Sequence, residues 1–203
     1  MTDNKTVGLT GSTGAGKSEI ARRMAAREHW AVIDADAISR LVVEKGQPTL
    51  ALLTEHFSAA VLNPDGTLNR ARLAALAFAD PEKTAALNAI VHPAVIREIQ
   101  AQRAAAVAAG KRVVVIDAPL LLQAGLDSDC DYTVAVTAPP EVRRARICAR
   151  DGISAEAAAQ RMSAQPGDDY YAARVSEVLT NDGDMAALAA KVEALCERIE
   201  AMV

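Results

Sequence analysis

The sequence predicts an α/β protein built on a doubly wound, mostly parallel five-stranded sheet with helices on both faces. Short apolar runs alternate with helical segments along the chain, which is the pattern of strands joined by helical crossovers. One of these runs, VVVI, is continuously β-branched, as in central parallel strands that are covered on both faces. The chain has 203 residues, of which 51% are hydrophobic and 24% charged, so it is long enough to bury one sizeable core.

Five segments are predicted as strands, with helices between them. The strands are expected at residues 5–10, 30–36, 111–117, 131–139 and 176–180. Residues from about 48 to 110 contain no convincing strand, so they predict a helical insertion beside the sheet. Within it, residues 63–70 (NPDGTLNR) predict a turn. Asp80 is expected to cap a helix that begins at Pro81, and Pro93 is expected to kink or split that helix.

Composition argues against several classes of protein. The net charge of −4 does not favour binding of nucleic acid over the whole surface. No stretch approaches 18 uninterrupted apolar residues, so no membrane span is expected. The N-terminal residues lack the apolar core of a signal peptide, and the three scattered cysteines show neither metal-ligand spacing nor a disulfide framework. We therefore expect a cytoplasmic protein with no nucleic-acid or membrane partner.

The stretch GSTGAGKS, residues 11–18, fits the phosphate-loop pattern G-x-x-x-x-G-K-[ST]. Glycines let the backbone curl so that successive N–H groups point at phosphate oxygens, and the following helix adds the positive end of its dipole. Lys17 is expected to reach the β- and γ-phosphates, and the Ser18 hydroxyl is expected to bind Mg²⁺. The residues predicted to hold the nucleotide here are Gly11, Gly14, Ala15, Gly16, Lys17, Ser18 and Glu19.

The motif alone leaves a kinase, an ATPase and a GTPase switch open. The sequence contains neither D-x-x-G nor N-K-x-D, which a GTPase switch is expected to carry. Its length argues against a motor or transporter subunit. A small-molecule kinase is therefore favoured, and a nucleotide-dependent regulatory protein without phosphotransfer is the alternative from another class.

Aspartates follow two of the predicted strands, at the edge where open parallel sheets bind ligands. Asp36 is expected to accept the proton of an attacking hydroxyl, and Asp34 is expected to support it or to contact the waters of Mg²⁺. Both could instead cap the helix that follows. Asp117 resembles a Walker-B carboxylate that holds the metal through water, although it could also be a turn residue before Pro119.

Arginines are concentrated between residues 140 and 175, where lysine is absent. Arg143, Arg146 and Arg150 follow i, i+3, i+7 spacing and therefore share one helix face. This face could form a lid that closes over the nucleotide, with its arginines stabilising charge during transfer, or it could be a solvated surface paired with acidic residues. His92, taken alone, is expected to have a structural role.

Several motifs together resemble the dephospho-coenzyme A kinase family over nearly the whole chain. The matching stretches are VGLTGSTGAGKS, VIDADAISRLVVEKGQP, LNPDGTLNRARLAALAFADPEK, LNAIVHPAVI, DAPLLLQAGLD, RICARDGIS and RMSAQ. With this resemblance, the chain is predicted to be a single P-loop kinase unit. Its expected parts are a core of residues 1–47, 111–139 and 175–203, a helical coenzyme A-binding domain at about 48–110, and a helical lid at about 140–174.

The resemblance also implies the reaction, which is the last step of coenzyme A synthesis. The γ-phosphoryl group of ATP would move to the ribose 3′-hydroxyl of dephospho-coenzyme A, with Mg²⁺ as cofactor. By this resemblance Asp36 is the base, Arg150 belongs to the lid, Arg146 binds ATP and Asn181 lies near its adenine. The acceptor is implied to contact Thr10, Asp36, Arg40, His92, Pro119 and Leu120. A monomer or weak homo-oligomer is expected.

Two positions depart from the family pattern. Ser18 is followed by Glu19 instead of threonine, which places a negative charge in the first helical turn near the phosphates. Gln123 stands where the family often has glutamate, so a charged role at that position is not expected.

Overall fold

The structure is a computed structural model that describes residues 4–203. The chain forms two compact units. The first unit contains the chain up to Ile33 together with Ala105–Val203, and the second unit contains Asp34–Ala104. Among the described residues, no helix combines the length and the apolar character that crossing a bilayer requires.

Five strands form one sheet in the order β2-β3-β1-β4-β5. Their bounds are Lys5–Gly11 (β1), Trp30–Asp34 (β2), Val113–Asp117 (β3), Tyr132–Thr137 (β4) and Glu177–Thr180 (β5). The pairs β1–β3, β1–β4 and β4–β5 are parallel. The predicted sheet is thus confirmed. Because the chain places β3 on one side of β1 and β4 on the other, the carboxyl end of β1 is where the winding changes direction, and such points bind ligands in open α/β sheets.

Helices separate the strands, as the alternating pattern predicts. Their bounds are Lys17–Ala25 (α1), Ala35–Leu41 (α2), Pro48–Phe57 (α3), Arg70–Ala77 (α4), Pro81–Ala108 (α5), Pro140–Asp151 (α6), Ala155–Ser163 (α7), Asp168–Ala172 (α8) and Met185–Glu200 (α9). The predicted turn at residues 63–70 ends at Asn69, whose side chain accepts a hydrogen bond from the Arg72 amide and so begins α4.

The core of the first unit lies between the sheet and helices α1 and α9. Its buried side chains are mostly aliphatic, which follows from the low aromatic content of 3%. Leu9 and Val134 of the central strands, Ile20 of α1 and Leu195 of α9 are fully buried. This packing fixes the start of α1 against the end of β1, which is the position of the phosphate loop.

The second unit is helical, as the predicted insertion requires. Leu53 of α3 and Ala77 of α4 are fully buried within the protein. The Asp80 side chain accepts a hydrogen bond from the Glu82 amide at 2.7 Å, which confirms it as the cap of α5. Pro93 lies inside one continuous helix of 28 residues, so the predicted split at this proline is wrong.

Candidate active site

The phosphate loop connects the last residue of β1, Gly11, to the first residue of α1, Lys17. All three glycines of the motif have positive φ angles, +144° at Gly11, +77° at Gly14 and +96° at Gly16, which side chains rarely adopt. A Cβ at Gly14 would lie 2.7 Å from the backbone oxygen of Arg143, and one at Gly16 would lie 2.5 Å from Asn181 Nδ2. These two positions therefore require glycine both for conformation and for space.

Two side chains predicted to bind the nucleotide, Arg146 and Asn181, form hydrogen bonds with a backbone carbonyl of the loop. The buried Asn181 donates a hydrogen bond from Nδ2 to the Ala15 carbonyl at 2.8 Å. Arg146 donates from one guanidinium nitrogen to the same carbonyl at 3.2 Å. When the N–H groups of a loop turn inward to a ligand, its carbonyls need partners elsewhere, because buried backbone polar groups must be paired. The structure thus brings Arg146 and Asn181 to the loop, although their contact with ATP stays a prediction.

The first turn of α1 follows the loop directly. Its leading N–H groups, at Lys17 and Ser18, have no intrahelical acceptor, as at the start of any helix, and can bind an anion. Ser18 is exposed. Glu19 accepts hydrogen bonds from Arg22 at 2.7 Å and from Arg23 at 2.7 Å. The hydrogen bond from Arg22 is the main cause that lowers the pKa of Glu19 to about 2.

Lys17 and Asp117 form an ion pair at the carboxyl end of the sheet. Asp117 ends β3 in register with Leu9 of β1, and the Lys17 ammonium donates to its Oδ1. The two side chains are only 16% and 13% exposed, so water screens the pair weakly. The sequence separates these residues by 100 positions, and the sheet brings them together.

These oxygen donors suit a magnesium ion. Mg²⁺ prefers oxygen ligands and is usually held by one or two carboxylates, waters and the phosphates of a nucleotide. Ser18 offers a hydroxyl beside the loop, and Asp117 offers a carboxylate at the adjacent strand end. In residues 4–203 no group of three or more histidine, cysteine, aspartate or glutamate side chains forms a cage for a metal. The residues at the loop therefore fit a nucleotide-borne ion better than one held by protein alone.

The residues of the first unit that are predicted to contact the acceptor are Thr10, near the end of β1, and Pro119 and Leu120, just after β3. Thr10 is fully buried, and its hydroxyl donates to the Pro119 carbonyl at 3.1 Å. Thr10 thereby fixes the segment that follows Asp117. Leu120, in the same segment, is 59% exposed. Contact of Thr10, Pro119 and Leu120 with a substrate stays a prediction.

Arg150 lies at the end of α6 and is exposed. Its guanidinium makes a two-pronged contact with the neighbouring Asp151, at 2.7 and 2.9 Å, and Arg161 of α7 binds the same carboxylate. Arg150 is the first cause that lowers the pKa of Asp151 to about 2. In this structure the predicted lid arginine is thus paired within the lid segment.

The remaining predicted residues lie in the second unit. Asp34 is the cap of α2, since its carboxylate accepts from the Ala37 amide at 2.9 Å. Asp36 lies in the first turn of α2 with an exposed side chain, and Arg40 lies one turn later, also exposed. His92 is exposed on α5. Capping therefore accounts for Asp34, while the carboxylate of Asp36 stays accessible.

Sequence reasoning missed two residues that contact the phosphate loop. Gln165 accepts a hydrogen bond from the Thr13 amide, and Asp168 accepts one from the Ser12 hydroxyl. Both lie just before or at the start of α8, more than 150 residues from their partners. No local sequence pattern predicts such contacts, although Gln165 lies in the RMSAQ stretch that resembles the family.

A parallel sheet of this order, with a phosphate loop after the central strand and a lysine–aspartate pair beside it, defines a P-loop nucleotide-binding fold, the fold class to which P-loop kinases belong. A family model described as Dephospho-CoA kinase matches residues 5–187. A dephospho-CoA kinase from Corynebacterium efficiens is 42% identical over 193 residues, which cover 95% of this chain and 96% of that protein. The chain belongs to the dephospho-CoA kinase family.

Solved structures share this fold. The crystal structure of TT1252 from Thermus thermophilus superimposes with a TM-score of 0.80 at 31% identity, covering 96% of this chain and 97% of that one. Dephospho-CoA kinase from Campylobacter jejuni gives a TM-score of 0.70 at 22% identity over 96% of both chains. At that identity the second likeness supports the fold alone.

Proposed function

We propose that this protein transfers the γ-phosphoryl group of ATP to the ribose 3′-hydroxyl of dephospho-CoA, which gives CoA and ADP. The observation that carries the proposal is the Lys17–Asp117 pair beside the glycine loop. A weakly screened ammonium next to a helix N-terminus attracts phosphate oxygens, and a carboxylate at the adjacent strand end can hold the waters of a metal ion.

The loop and α1 bind the triphosphate. The N–H groups of the loop and of the first turn of α1 receive the phosphate oxygens, and Lys17 moves from Asp117 to the β- and γ-phosphates. Mg²⁺, held by the Ser18 hydroxyl and through water by Asp117, would neutralise charge on the bridging oxygens. Asp117 thus balances the Lys17 charge before ATP arrives.

The acceptor is activated by a carboxylate. Asp36 accepts the proton of the 3′-hydroxyl as that oxygen forms its bond to the γ-phosphorus. The bond between the γ-phosphorus and the oxygen it shares with the β-phosphate breaks, and the electron pair leaves with ADP. Arg40 and His92 bind the acceptor, as the family resemblance suggests, together with the segment around Pro119 and Leu120.

The arginine-rich helices complete the site. Arg146 and Asn181 keep the loop in shape from the protein side and extend toward the nucleotide, whose adenine lies near Asn181. Arg150 exchanges its partner Asp151 for phosphate oxygens when the nucleotide is bound, since guanidinium groups bind phosphate in the same two-pronged way as carboxylate. The lid at about 140–174, the helical domain at about 48–110, the monomeric or weakly homo-oligomeric state and the cytoplasmic location stay predictions from the sequence.

An acceptor panel tests the function. ADP formation from ATP and Mg²⁺ is followed with dephospho-CoA, shikimate, gluconate or a nucleoside monophosphate as acceptor, and without any acceptor. We expect ADP release that depends on dephospho-CoA, with CoA appearing in equal amount. ADP release that depends on another acceptor would refute the proposed substrate. Nucleotide binding without acceptor-dependent ADP release would instead favour a regulatory protein.

A further inference from the structure

The first half of the phosphate loop is held by two side chains from the start of α8 and the turn before it. Gln165 Oε1 accepts a hydrogen bond from the Thr13 amide at 2.8 Å, and Asp168 Oδ1 accepts one from the Ser12 hydroxyl at 2.9 Å. We propose that Gln165 and Asp168 are positioning residues that keep the loop in its phosphate-binding shape before the nucleotide arrives.

The loop needs such support because its sequence is flexible. Three glycines in six residues give the unliganded backbone many conformations, and ordering it on binding would weaken nucleotide affinity. The structure divides the loop into two parts. The amide of Ser12 donates to the Val136 carbonyl at 3.1 Å, and the amide of Thr13 donates to Gln165. Residues 12 and 13 are therefore tied to the protein, and the Ala15 amide donates to the Ser12 carbonyl at 3.1 Å. The amides at the start of α1 are the ones left to receive phosphate.

The segment that carries these two side chains is itself fixed. Tyr171 of α8 is 1% exposed, so α8 is anchored in the protein by a large buried ring. Burial raises the pKa of the Tyr171 hydroxyl, and its hydrogen-bonding interaction with Gln123 opposes that rise. An anchored α8 presents Asp168 to the loop at a defined position.

A buried arginine, Arg143, also lies close to Asp168. Arg143 is 9% exposed, and its guanidinium lies 3.7 Å from Asp168 Oδ1. Its Nε has no hydrogen-bond partner among residues 4–203. The backbone of Arg143 also abuts Gly14, the next loop residue after Thr13. The carboxylate of Asp168 therefore lies between a loop hydroxyl, which donates to it, and a buried positive charge.

Equilibrium binding of ATP tests the role of Gln165. Gln165→Met keeps the length of the side chain and removes the acceptor, and Gln160→Met makes the same change at an exposed position of α7. Loss of one hydrogen bond predicts an ATP Kd about threefold to tenfold higher in Gln165→Met. We expect an unchanged Kd in Gln160→Met. An ATP Kd within twofold of the parent in Gln165→Met would overturn the proposal.

Kinetics separate positioning from general destabilisation. In Gln165→Met the KM for ATP should rise, while kcat at saturating ATP and the KM for dephospho-CoA stay within twofold of the parent. Asp168→Asn keeps an oxygen that can accept from Ser12, so it should retain more ATP affinity than Asp168→Ala. A similar change in kcat and in both KM values in Gln165→Met would indicate a structural role only. The same conclusion would follow if Asp168→Asn lost as much ATP affinity as Asp168→Ala.

The parent protein provides a test that does not depend on variants that fold. Hydrogen exchange of the Thr13 amide is measured without nucleotide, and the proposal expects it to be protected. Exchange of this amide at the rate of an unstructured chain would overturn the proposal. The inference rests on the proposed function only in that the loop binds ATP. Since neither binding nor exchange involves dephospho-CoA, an error in the proposed acceptor would leave both tests valid.

Discussion

Glu19 shows how one side chain can lie beside a phosphate site without opposing it. Its carboxylate holds Arg22 and Arg23 one turn further along α1, and the pKa of about 2 keeps it ionised at neutral pH. A carboxylate in a first helical turn is also favoured by the helix dipole. The three side chains together carry a net positive charge, so the departure from the family pattern at this position does not make the start of α1 repulsive to phosphate.

Asp36 is the residue whose replacement should separate binding from chemistry. Asp36→Asn keeps the size of the side chain but removes the carboxylate that is proposed to accept the proton of the hydroxyl. We expect kcat to fall about 100-fold or more. The affinity for ATP, measured by equilibrium titration without acceptor, should stay near that of the parent.

Asp34→Asn is the matched control, since it makes the same change two residues earlier in the chain. Asparagine caps a helix about as well as aspartate, so α2 should keep its start and turnover should stay close to that of the parent. Turnover of Asp36→Asn above a tenth of the parent value would mean that another group accepts the proton.

At the scale of elements, two glutamates of α9, Glu193 and Glu200, contact Arg27 and Trp30 at the start of β2. These four residues form a polar clasp. Arg27 contacts Glu200 through two hydrogen bonds of 2.9 and 3.0 Å and contacts Glu193 at 2.9 Å. The indole N–H of the buried Trp30 donates to Glu200 at 2.8 Å. The hydrogen bonds from Arg27 are the main cause that lowers the pKa of Glu200. Glu200 thus links the last turn of α9 with the loop that precedes β2.

Glu200→Gln should destabilise the protein in a pH-dependent way. Because Glu200 is 42% exposed, solvent screening limits the expected loss to about 1 kcal/mol, or about 2 to 4 °C in Tm. A carboxylate with a lowered pKa in the folded state stabilises above its unfolded pKa of about 4.3, and this contribution is lost as the pH falls through the folded value. Thermal unfolding at pH 7 and at acidic pH measures the difference.

Glu197→Gln is the control for the clasp, because Glu197 lies on the same helix with an exposed side chain. Its Tm should match that of the parent at each pH. A Tm difference between Glu200→Gln and the parent that is constant from pH 7 into the acidic range would rule out an ionic contribution from Glu200.

The sequence predicted those elements whose signals are local. The β-branched run of β3 and the glycines and lysine of the loop each carry their chemistry within a few residues, so the sheet and the phosphate site could be located. Helix α4 was not separately predicted, because the preceding turn residues obscured Asn69 as its cap. Gln165 and Asp168 could not be predicted as loop contacts, since nothing near them in sequence specifies a partner more than 150 residues away.

At the scale of the whole molecule, nucleotide binding should raise the free energy of unfolding. A nucleotide that binds only the folded protein stabilises it by about 2.7 kcal/mol at 100 times its Kd. For a chain of 203 residues this corresponds to a rise in Tm of about 5 to 10 °C. Thermal unfolding with increasing concentrations of a non-hydrolysable ATP analogue and Mg²⁺ measures this rise.

Lys17→Ala is the control for this measurement, because it removes the ammonium that pairs with Asp117 and is proposed to bind phosphate. Its Tm should rise much less at the same analogue concentrations. A parent protein whose Tm does not respond to the analogue, or a variant that responds equally, would contradict the role given to the loop lysine.

The position of β1 has a consequence for the order in which the protein can fold during synthesis. β1 is made first, yet its two neighbours are β3 and β4, which begin at Val113 and Tyr132. A nascent chain therefore carries this strand with no sheet partner for more than a hundred residues. The helices of the second unit are all synthesised before β3, since the last of them ends at Ala108. The Thr13 amide of the phosphate loop gains its acceptor even later, because Gln165 must first leave the ribosome.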